Sequence, residues 1–371
     1  MLQLMWPPNN LSPGGDLLTK RASLITYTFA HFCVDFACFY VLFSRFLGAS
    51  TFPPTLELIA TGFLLYNVLA FGLQPFIGFL CDVRKGVPIA LIGCGILFVG
   101  LVLPFPWISV ILCALGNACF HVGGGIDSLV HAEGKMARSG IFVSSGAMGV
   151  ALGTLAGQQG IPLVIPIALT VVSGITIYFT GGGVDKEDSE QPFNNTNPAL
   201  PLSAVIVLCS VAIVIRSFVG SVIPIPWRTT TFLLLLPSIG ASIGKAAGGY
   251  LADWFGARRV AVVTLLASIP LLCLAYAHPA SCTVGILLFN MTMPITLCAI
   301  ANKFPQHPGF AFGLTTLWLL CGSLLTFFLA LPTAAAPYVM ALCIAIASLC
   351  LLIATDNNER RMSLWRKRSA A

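Results

Sequence analysis

Long apolar stretches separated by short polar segments make up almost the whole chain. About 20 apolar residues in an α-helix cross the hydrocarbon core of a bilayer, which is roughly 30 Å thick. Divided on that basis, the sequence predicts twelve transmembrane helices. Their expected bounds are 24–47, 56–81, 87–104, 107–127, 139–157, 161–180, 200–222, 229–252, 259–276, 281–302, 309–330 and 336–354.

An acidic and polar segment, residues 181–199, divides this pattern into six helices on each side. The sequence therefore predicts two six-helix bundles, 24–180 and 200–355, with a cytoplasmic linker between them. A segment before them, 1–23, and a basic tail, 356–371, complete the expected domain organisation. The Asn194-Asn195-Thr196 sequon lies in the linker and is discounted, because a cytoplasmic loop is not glycosylated.

Composition supports a membrane protein, since 57% of the residues are hydrophobic and only 9% are charged. A soluble domain has about 25% charged residues. No segment outside the predicted helices is long enough for an enzymatic domain, so an enzyme is not expected. No phosphate-binding Walker motif is present and we expect no cofactor. The thirteen cysteines contain no Cys-x-x-Cys pair, which indicates packing residues rather than disulfides or metal ligands.

Basic residues are distributed unevenly between the two sides of this topology. Fifteen lysines and arginines fall on the side of the N-terminus, and only Arg45 and Arg228 fall on the other. By the positive-inside rule both termini are expected in the cytoplasm, for a protein of a bacterial inner membrane. Residues 1–20 lack the features of a secretory signal. The net charge of +6 comes from the inner loops and the tail, which predicts contact with membrane lipid and no binding of nucleic acid.

Two segments 171 residues apart, Gly78–Asp82 and Gly249–Asp253, carry the same Gly-x-x-x-Asp pattern, each at the end of an apolar stretch and each followed by basic residues. Two similar halves are typical of secondary transporters, whose substrate site lies between the halves. Glycine allows helices to approach closely, and an aspartate at a helix N-terminus flanked by arginines forms a latch that breaks when the halves rock apart. The predicted gating residues are Gly78, Asp82, Arg84 and Lys85 in the first copy, and Gly249, Asp253, Gly256, Arg258 and Arg259 in the second. Purely interfacial charges are the alternative.

These features resemble the major facilitator superfamily, whose loop signature is matched well from Gly249 to Arg259. The first copy departs from it, with Lys85 where a glycine is usual. Within the superfamily the chain resembles the fosmidomycin-resistance branch. The stretches that carry this resemblance are His31–Asp35, Gln74–Gly78, Phe120-His121 with the glycine-rich fifth helix, and Asn290–Leu314. The resemblance implies a secondary transporter. A Gly-Pro step in the fifth helix marks antiporters of the family, and Thr154 stands where that proline would be.

The strongest candidate for proton coupling is the pair His31 and Asp35 in the first predicted helix. A charged side chain in mid-bilayer costs at least about 2.5–3.5 kcal/mol, so it invites a functional explanation. Tyr27, His31 and Asp35 are spaced by four and share a helix face. Because imidazole titrates near neutral pH, such a pair can exchange protons. A hydrogen-bonded structural pair remains the alternative.

Further polar residues are expected to line a substrate cavity, in part as a hydrated inner vestibule. Asn117 and His121 share the four-residue spacing, and Gln74 and Lys245 each precede their motif aspartate by eight residues. Lys245 either attracts an anion or snorkels to the inner surface, and Arg216 is either an anion clamp or snorkels to the outer surface. Tyr27, Tyr66, Gln74, Asn117, His121, Arg216, Lys245 and Asn290 form the predicted cavity.

We therefore expect a secondary active transporter that works by alternating access. The preferred function is a proton-coupled exporter (antiporter) of small drug-like or organic-anion compounds, with protons and a small-molecule substrate as its partners. Metabolite uptake by proton symport or facilitated diffusion is the alternative on the same fold. A non-transporting membrane receptor or scaffold is a third possibility, which would leave the charged residues inside the membrane without a role.

Overall fold

A computed structural model describes residues 13–46, 56–84, 86–180, 193, 195–329, 331–332 and 334–356. The predicted gating residue Lys85, most of the predicted linker, and nearly all of the basic tail lie outside these ranges. Within them the chain is helical and contains no β-strand, as expected for an all-α membrane protein.

Fourteen α-helices follow one another along the described chain. They are α1 (Pro13–Val41, continued by a π-helical turn, Leu42–Phe46), α2 (Leu56–Gly72), α3 (Gln74–Val83), α4 (Ile89–Val102), α5 (Pro106–Val130), α6 (Met136–Gln158), α7 (Val164–Phe179), α8 (Leu202–Val222), α9 (Thr231–Phe255), α10 (Ala257–Cys273), α11 (Pro279–Asn290), α12 (Thr292–Ala301), α13 (Pro308–Phe328) and α14 (Ala336–Ala354).

Nine helical segments of the described chain are long and apolar enough to cross a membrane, and α4 and α7 are shorter apolar helices. The chain is an integral membrane protein. The count of twelve spans stays a prediction, because α4, α7 and the 17-residue α10 are shorter than a full span.

Two of the predicted helices are broken by proline. Span two divides into α2 and α3 next to Pro75, and span ten divides into α11 and α12 at Met291, three residues before Pro294. Proline has no N–H to donate to the carbonyl four residues earlier. The carbonyl of Phe71, freed by Pro75, accepts a hydrogen bond of 3.4 Å from the Thr316 hydroxyl on α13.

Helices α1–α7 pack mainly on one another, as do α8–α14, and the two sets meet along α3 with α13 and along α6 with α9. Glycines make these crossings close. A Cβ on Gly78 would overlap the backbone of Gly309, and a Cβ on Gly140 would lie 2.7 Å from the carbonyl oxygen of Lys245. The contacts cluster toward the membrane face at which α1 begins, which we call the N-face. The two sets of helices are therefore closed against each other near the N-face.

All thirteen cysteines are free thiols, and eleven of them are buried. This agrees with their predicted role as packing residues.

Candidate functional site

Four polar side chains from α1 and α5 form one buried group, which we call the proton cluster: His31, Asp35, Asn117 and His121. The two imidazole Nε2 atoms are 2.9 Å apart. The Asp35 carboxylate lies 3.3 Å from Nε2 of His31 and 3.7 Å from Nε2 of His121. The Asn117 amide donates to Asp35 over 2.9 Å. The structure thus joins the two pairs that the four-residue spacing had identified separately.

Backbone carbonyls determine which nitrogen of each imidazole carries hydrogen. Nδ1 of His31 lies 2.7 Å from the carbonyl oxygen of Phe142, and Nδ1 of His121 lies 3.0 Å from that of Asn117. A carbonyl oxygen only accepts hydrogen bonds, so both Nδ1 atoms must be donors. In the neutral imidazoles both Nε2 atoms are then bare lone pairs facing each other. One additional proton between them removes this conflict, and Asp35 supplies the balancing charge.

The same three titratable side chains have ligand atoms within 4.8 Å of one another, a spacing that raises the question of a metal ion. Two nitrogens on a tetrahedral zinc at about 2.05 Å would be roughly 3.3 Å apart. The observed Nε2 separation of 2.9 Å is instead that of a hydrogen bond. The geometry favours a proton in this position.

Glycines on α6 bring that helix against the proton cluster. A Cβ on Gly146 would overlap Asp35 and His31, and Cβ atoms on Gly149 and Gly153 would overlap the backbone of α1. Residue 146 must therefore lack a side chain for the imidazole and the carboxylate to occupy their positions.

An aromatic layer separates the proton cluster from the N-face. Tyr27, Phe120, Phe142 and Phe312 are all at most 3% exposed. Phe142 stacks on His31 at a centroid distance of 4.8 Å and contacts Phe312, which belongs to the other set of helices, at 6.1 Å. Tyr27 was predicted to line the cavity, but it belongs to this layer.

Two basic residues of the second half, Arg216 and Lys245, form what we call the cation pair. Arg216 is buried, and its Nη1 donates to the Thr296 hydroxyl over 3.1 Å. Lys245 is half-buried, and its charge interacts with those of Arg216 and Asp35. Among the described residues, neither cation has a carboxylate within ion-pair distance. Arg216 faces the interior and does not snorkel to the surface.

Three other predicted cavity residues belong neither to the proton cluster nor to the cation pair. Gln74 is fully buried where α3 meets α13, bonded to the carbonyl of Ala70. Tyr66 is buried against Phe39 and interacts with Cys38 and Asp35. Asn290 is half-buried and donates to its own helix. In this arrangement the aromatic layer and the α3–α13 contact close the N-face side, so the hydrated vestibule stays a prediction for the arrangement that is open to that face.

Both motif aspartates make the same contact between the halves. The Asp82 carboxylate accepts the backbone N–H groups of Gly309 (3.1 Å) and Phe310 (2.8 Å) at the start of α13. The Asp253 carboxylate accepts those of Met136 (2.8 Å) and Ala137 (2.9 Å) at the start of α6. A carboxylate at a helix N-terminus is stabilised by charge-assisted bonds and by the helix dipole. The first copy, which departs from the family pattern in sequence, keeps this contact.

The arginines that flank the motif aspartates in the sequence have positions other than the predicted latch. Arg84 is exposed. Arg258 donates to the carbonyl of Thr355 over 2.8 Å and lies 3.6 Å from Asp356, and it therefore holds the end of α14. Gly256, at φ +91°, forms the turn between α9 and α10.

Sequence reasoning missed one buried charged network near the N-face. Asp127 accepts from Arg138 (2.8 Å), bonds His131 (2.9 Å) and accepts from the Ser23 hydroxyl. The four-residue spacing of Asp127 and His131 was the available signal. Because Arg138 neutralises Asp127, the network links α1, α5 and α6 without leaving an unbalanced charge.

Comparison with solved structures identifies the architecture. FucP, a major facilitator superfamily transporter solved in its outward conformation, aligns with a TM-score of 0.66 at 15% identity, covering 89% of this chain and 97% of that one. The chain has the major facilitator fold. No protein-family model matches the sequence, and no curated protein matches it.

Two further structures show the same likeness. A variant of the E. coli fucose:proton symporter FucP aligns with a TM-score of 0.67 at 14% identity, covering 89% of this chain and 97% of that one. The human organic anion transporter MFSD10 (TETRAN) aligns with a TM-score of 0.63 at 13% identity, covering 90% of this chain and 99% of that one. These identities establish the fold and leave the fosmidomycin-resistance branch as a prediction.

Proposed function

We propose that this protein is a proton-coupled secondary transporter of small organic solutes, anionic or drug-like, that works by alternating access. The observation that carries the proposal is the pair of Nε2 atoms 2.9 Å apart with both Nδ1 atoms bonded to carbonyls. A buried site in which two neutral imidazoles and an ionised carboxylate together accommodate one further proton is a proton-binding site. The likeness to a fucose:proton symporter and to an organic anion transporter supports it.

The alternating movement would use the two aspartate latches. Each joins the end of a helix in one half to the start of a helix in the other, so opening toward the N-face requires both to break. In the closed arrangement the aromatic layer keeps the proton cluster away from that face. The cluster would then exchange its proton only with the opposite face until the latches open.

The expectation of export goes with the resemblance to the fosmidomycin-resistance branch, although Thr154 stands where the proline of the antiporter signature would be. The glycines of α6 pack against α1 and the proton cluster. Generic close packing explains them without a role in coupling direction. Antiport therefore stays a prediction that a flux experiment must decide.

The test is solute-dependent proton movement in proteoliposomes that contain a pH-sensitive dye. Neutral, cationic and anionic solutes that stabilise the purified protein against heat are added in turn. We expect at least one solute to change the internal pH with wild type. Asp35→Asn should retain solute-induced stabilisation and lose the pH change. If no stabilising solute moves protons with wild type, or if Asp35→Asn retains full coupling, the proposal is wrong.

A further inference from the structure

We infer that Arg216 and Lys245 form a binding subsite for an anionic group, a carboxylate, sulfonate or phosphonate, and that anion and proton bind cooperatively, as in a symporter. The inference deepens the proposed function and depends on it for the coupling partner. It begins from a charge imbalance in the membrane interior. Asp127 and Arg138 neutralise each other, whereas in the described part of the chain neither Arg216 nor Lys245 forms an ion pair with a carboxylate, and only Lys245 is attracted by the more distant Asp35.

The unused hydrogen-bond donors of Arg216 also indicate a binding site for an anion. A guanidinium has five N–H donors in a fork that matches the oxygens of such anions. Arg216 uses one donor toward Thr296. Among the described residues, Lys245 interacts through its charge, which is repelled by Arg216 and attracted by Asp35. Two cations whose charges repel each other in a low-dielectric interior are unfavourable unless an anion joins them.

The cation pair lies close to the proton cluster. On α6, Gly146 contacts His31 and Asp35, and Gly140 contacts the backbone of Lys245. Six residues of helix separate these contacts by about 9 Å. Side chains lean toward the N-terminus of their helix, so Lys245 on α9 leans away from the N-face, toward the level of the cluster. Its charge accordingly interacts with those of Asp35 and His121.

This proximity determines the sign of the coupling. A proton added to the cluster neutralises the Asp35 charge that otherwise attracts Lys245, so the local potential becomes more positive. An anion then binds more tightly, and by linkage its binding favours the proton to the same extent. Competition between the two, which antiport requires, would need the opposite sign.

The titratable and charged groups around the imidazole pair come from three helices. Asp35 on α1 contacts both rings, Cys38 on α1 and Tyr66 on α2 interact with Asp35, and Lys245 on α9 interacts with His121. An anion at the cation pair would act on the proton of the cluster through these charges.

The test is binding of benzenesulfonate to the purified full-length protein, measured calorimetrically. This sulfonate keeps one negative charge across the pH range, so any pH dependence belongs to the protein. Benzenesulfonamide has nearly the same shape without the charge. We expect benzenesulfonate alone to bind, with an affinity about tenfold higher at acidic than at alkaline pH.

Variants identify the subsite. Arg216→Gln and Lys245→Gln should each weaken binding by at least about tenfold, as expected when one partner of a buried charged contact is removed. Lys245→Arg keeps the charge and should retain most of the affinity, which shows that the site still folds. Arg228→Gln removes an exposed arginine and should have no effect.

The inference is overturned if no binding of benzenesulfonate is measured up to a concentration of about 10 mM, which is high enough to detect a millimolar dissociation constant. Equal binding of the sulfonamide, or unchanged binding by both glutamine variants, also overturns it. Charge-dependent binding that does not vary with pH would support the anion subsite and overturn the coupling. Proton movement with neutral solutes alone would preserve the proposed function while rejecting the anion subsite.

Discussion

At the scale of single residues, the sequence predicted which side chains share one helix face, but it could not predict the contacts between side chains of different helices. The four-residue spacing of His31 with Asp35 and of Asn117 with His121 can be recognised in the sequence. That the two Nε2 atoms face each other while both Nδ1 atoms donate could not be predicted, because it depends on carbonyl groups of Phe142 and Asn117 that only the fold positions. Gly146 illustrates the same limit, since the sequence shows a glycine and the structure shows what it accommodates.

Gly146→Ala is therefore expected to disrupt coupling. Its Cβ would overlap Asp35 and His31, so one of these side chains must move and the shared-proton geometry is lost. We expect at least about a tenfold loss of solute-driven proton movement, equivalent to about 1.4 kcal/mol. Gly95→Ala is the matched control, because it lies in a helix with nothing within 4 Å of the added Cβ. Equal coupling in the two variants would contradict the assigned role of Gly146.

At the scale of helices, the motif repeat predicted that α3 and α9 end in equivalent aspartates, and this holds. It predicted a helix N-terminus as the partner of each aspartate, and it did not identify which helix. Each aspartate accepts two backbone N–H groups at the start of a helix in the other half, and the contact does not depend on the flanking basic residues. The first copy of the motif therefore makes the same contact as the second although its sequence matches the family pattern less well. The donors are backbone N–H groups, which any residue type supplies.

Asp82→Asn and Asp253→Asn are expected to weaken the closed arrangement to a similar extent. Each change removes the charge and turns one acceptor into a donor that faces an N–H group. Hydrogen bonds to charged groups contribute about 1.5–3 kcal/mol, so opening at the N-face should become at least about tenfold more frequent. The labelling rate of the buried thiol Cys298, which interacts with Ser139 across the interface, measures this opening. Asp356→Asn is the control, and a marked difference between the two latch variants would contradict their equivalence.

At the scale of the whole molecule, hydropathy and the repeat anticipated an all-helical membrane protein with two similar halves. The uneven distribution of charge between the halves carries the functional information. The first half holds the proton cluster and the second half holds the cation pair, so the proposed proton site and the proposed anion site lie in different halves. In the proposed mechanism, rocking would expose both to the same face in turn and would couple their movements without direct contact.

The direction of coupled flux follows from that arrangement. If proton and anion bind cooperatively, a liposome that is acidic outside should accumulate benzenesulfonate, whereas an antiporter should do so when the interior is acidic. One proton carried with one monovalent anion moves no net charge, so an imposed potassium diffusion potential should leave the rate unchanged. Lys245→Gln should abolish accumulation, and Arg228→Gln should not. Accumulation driven by an acidic interior would show that the two ligands exclude each other and that the protein exports its substrate against protons.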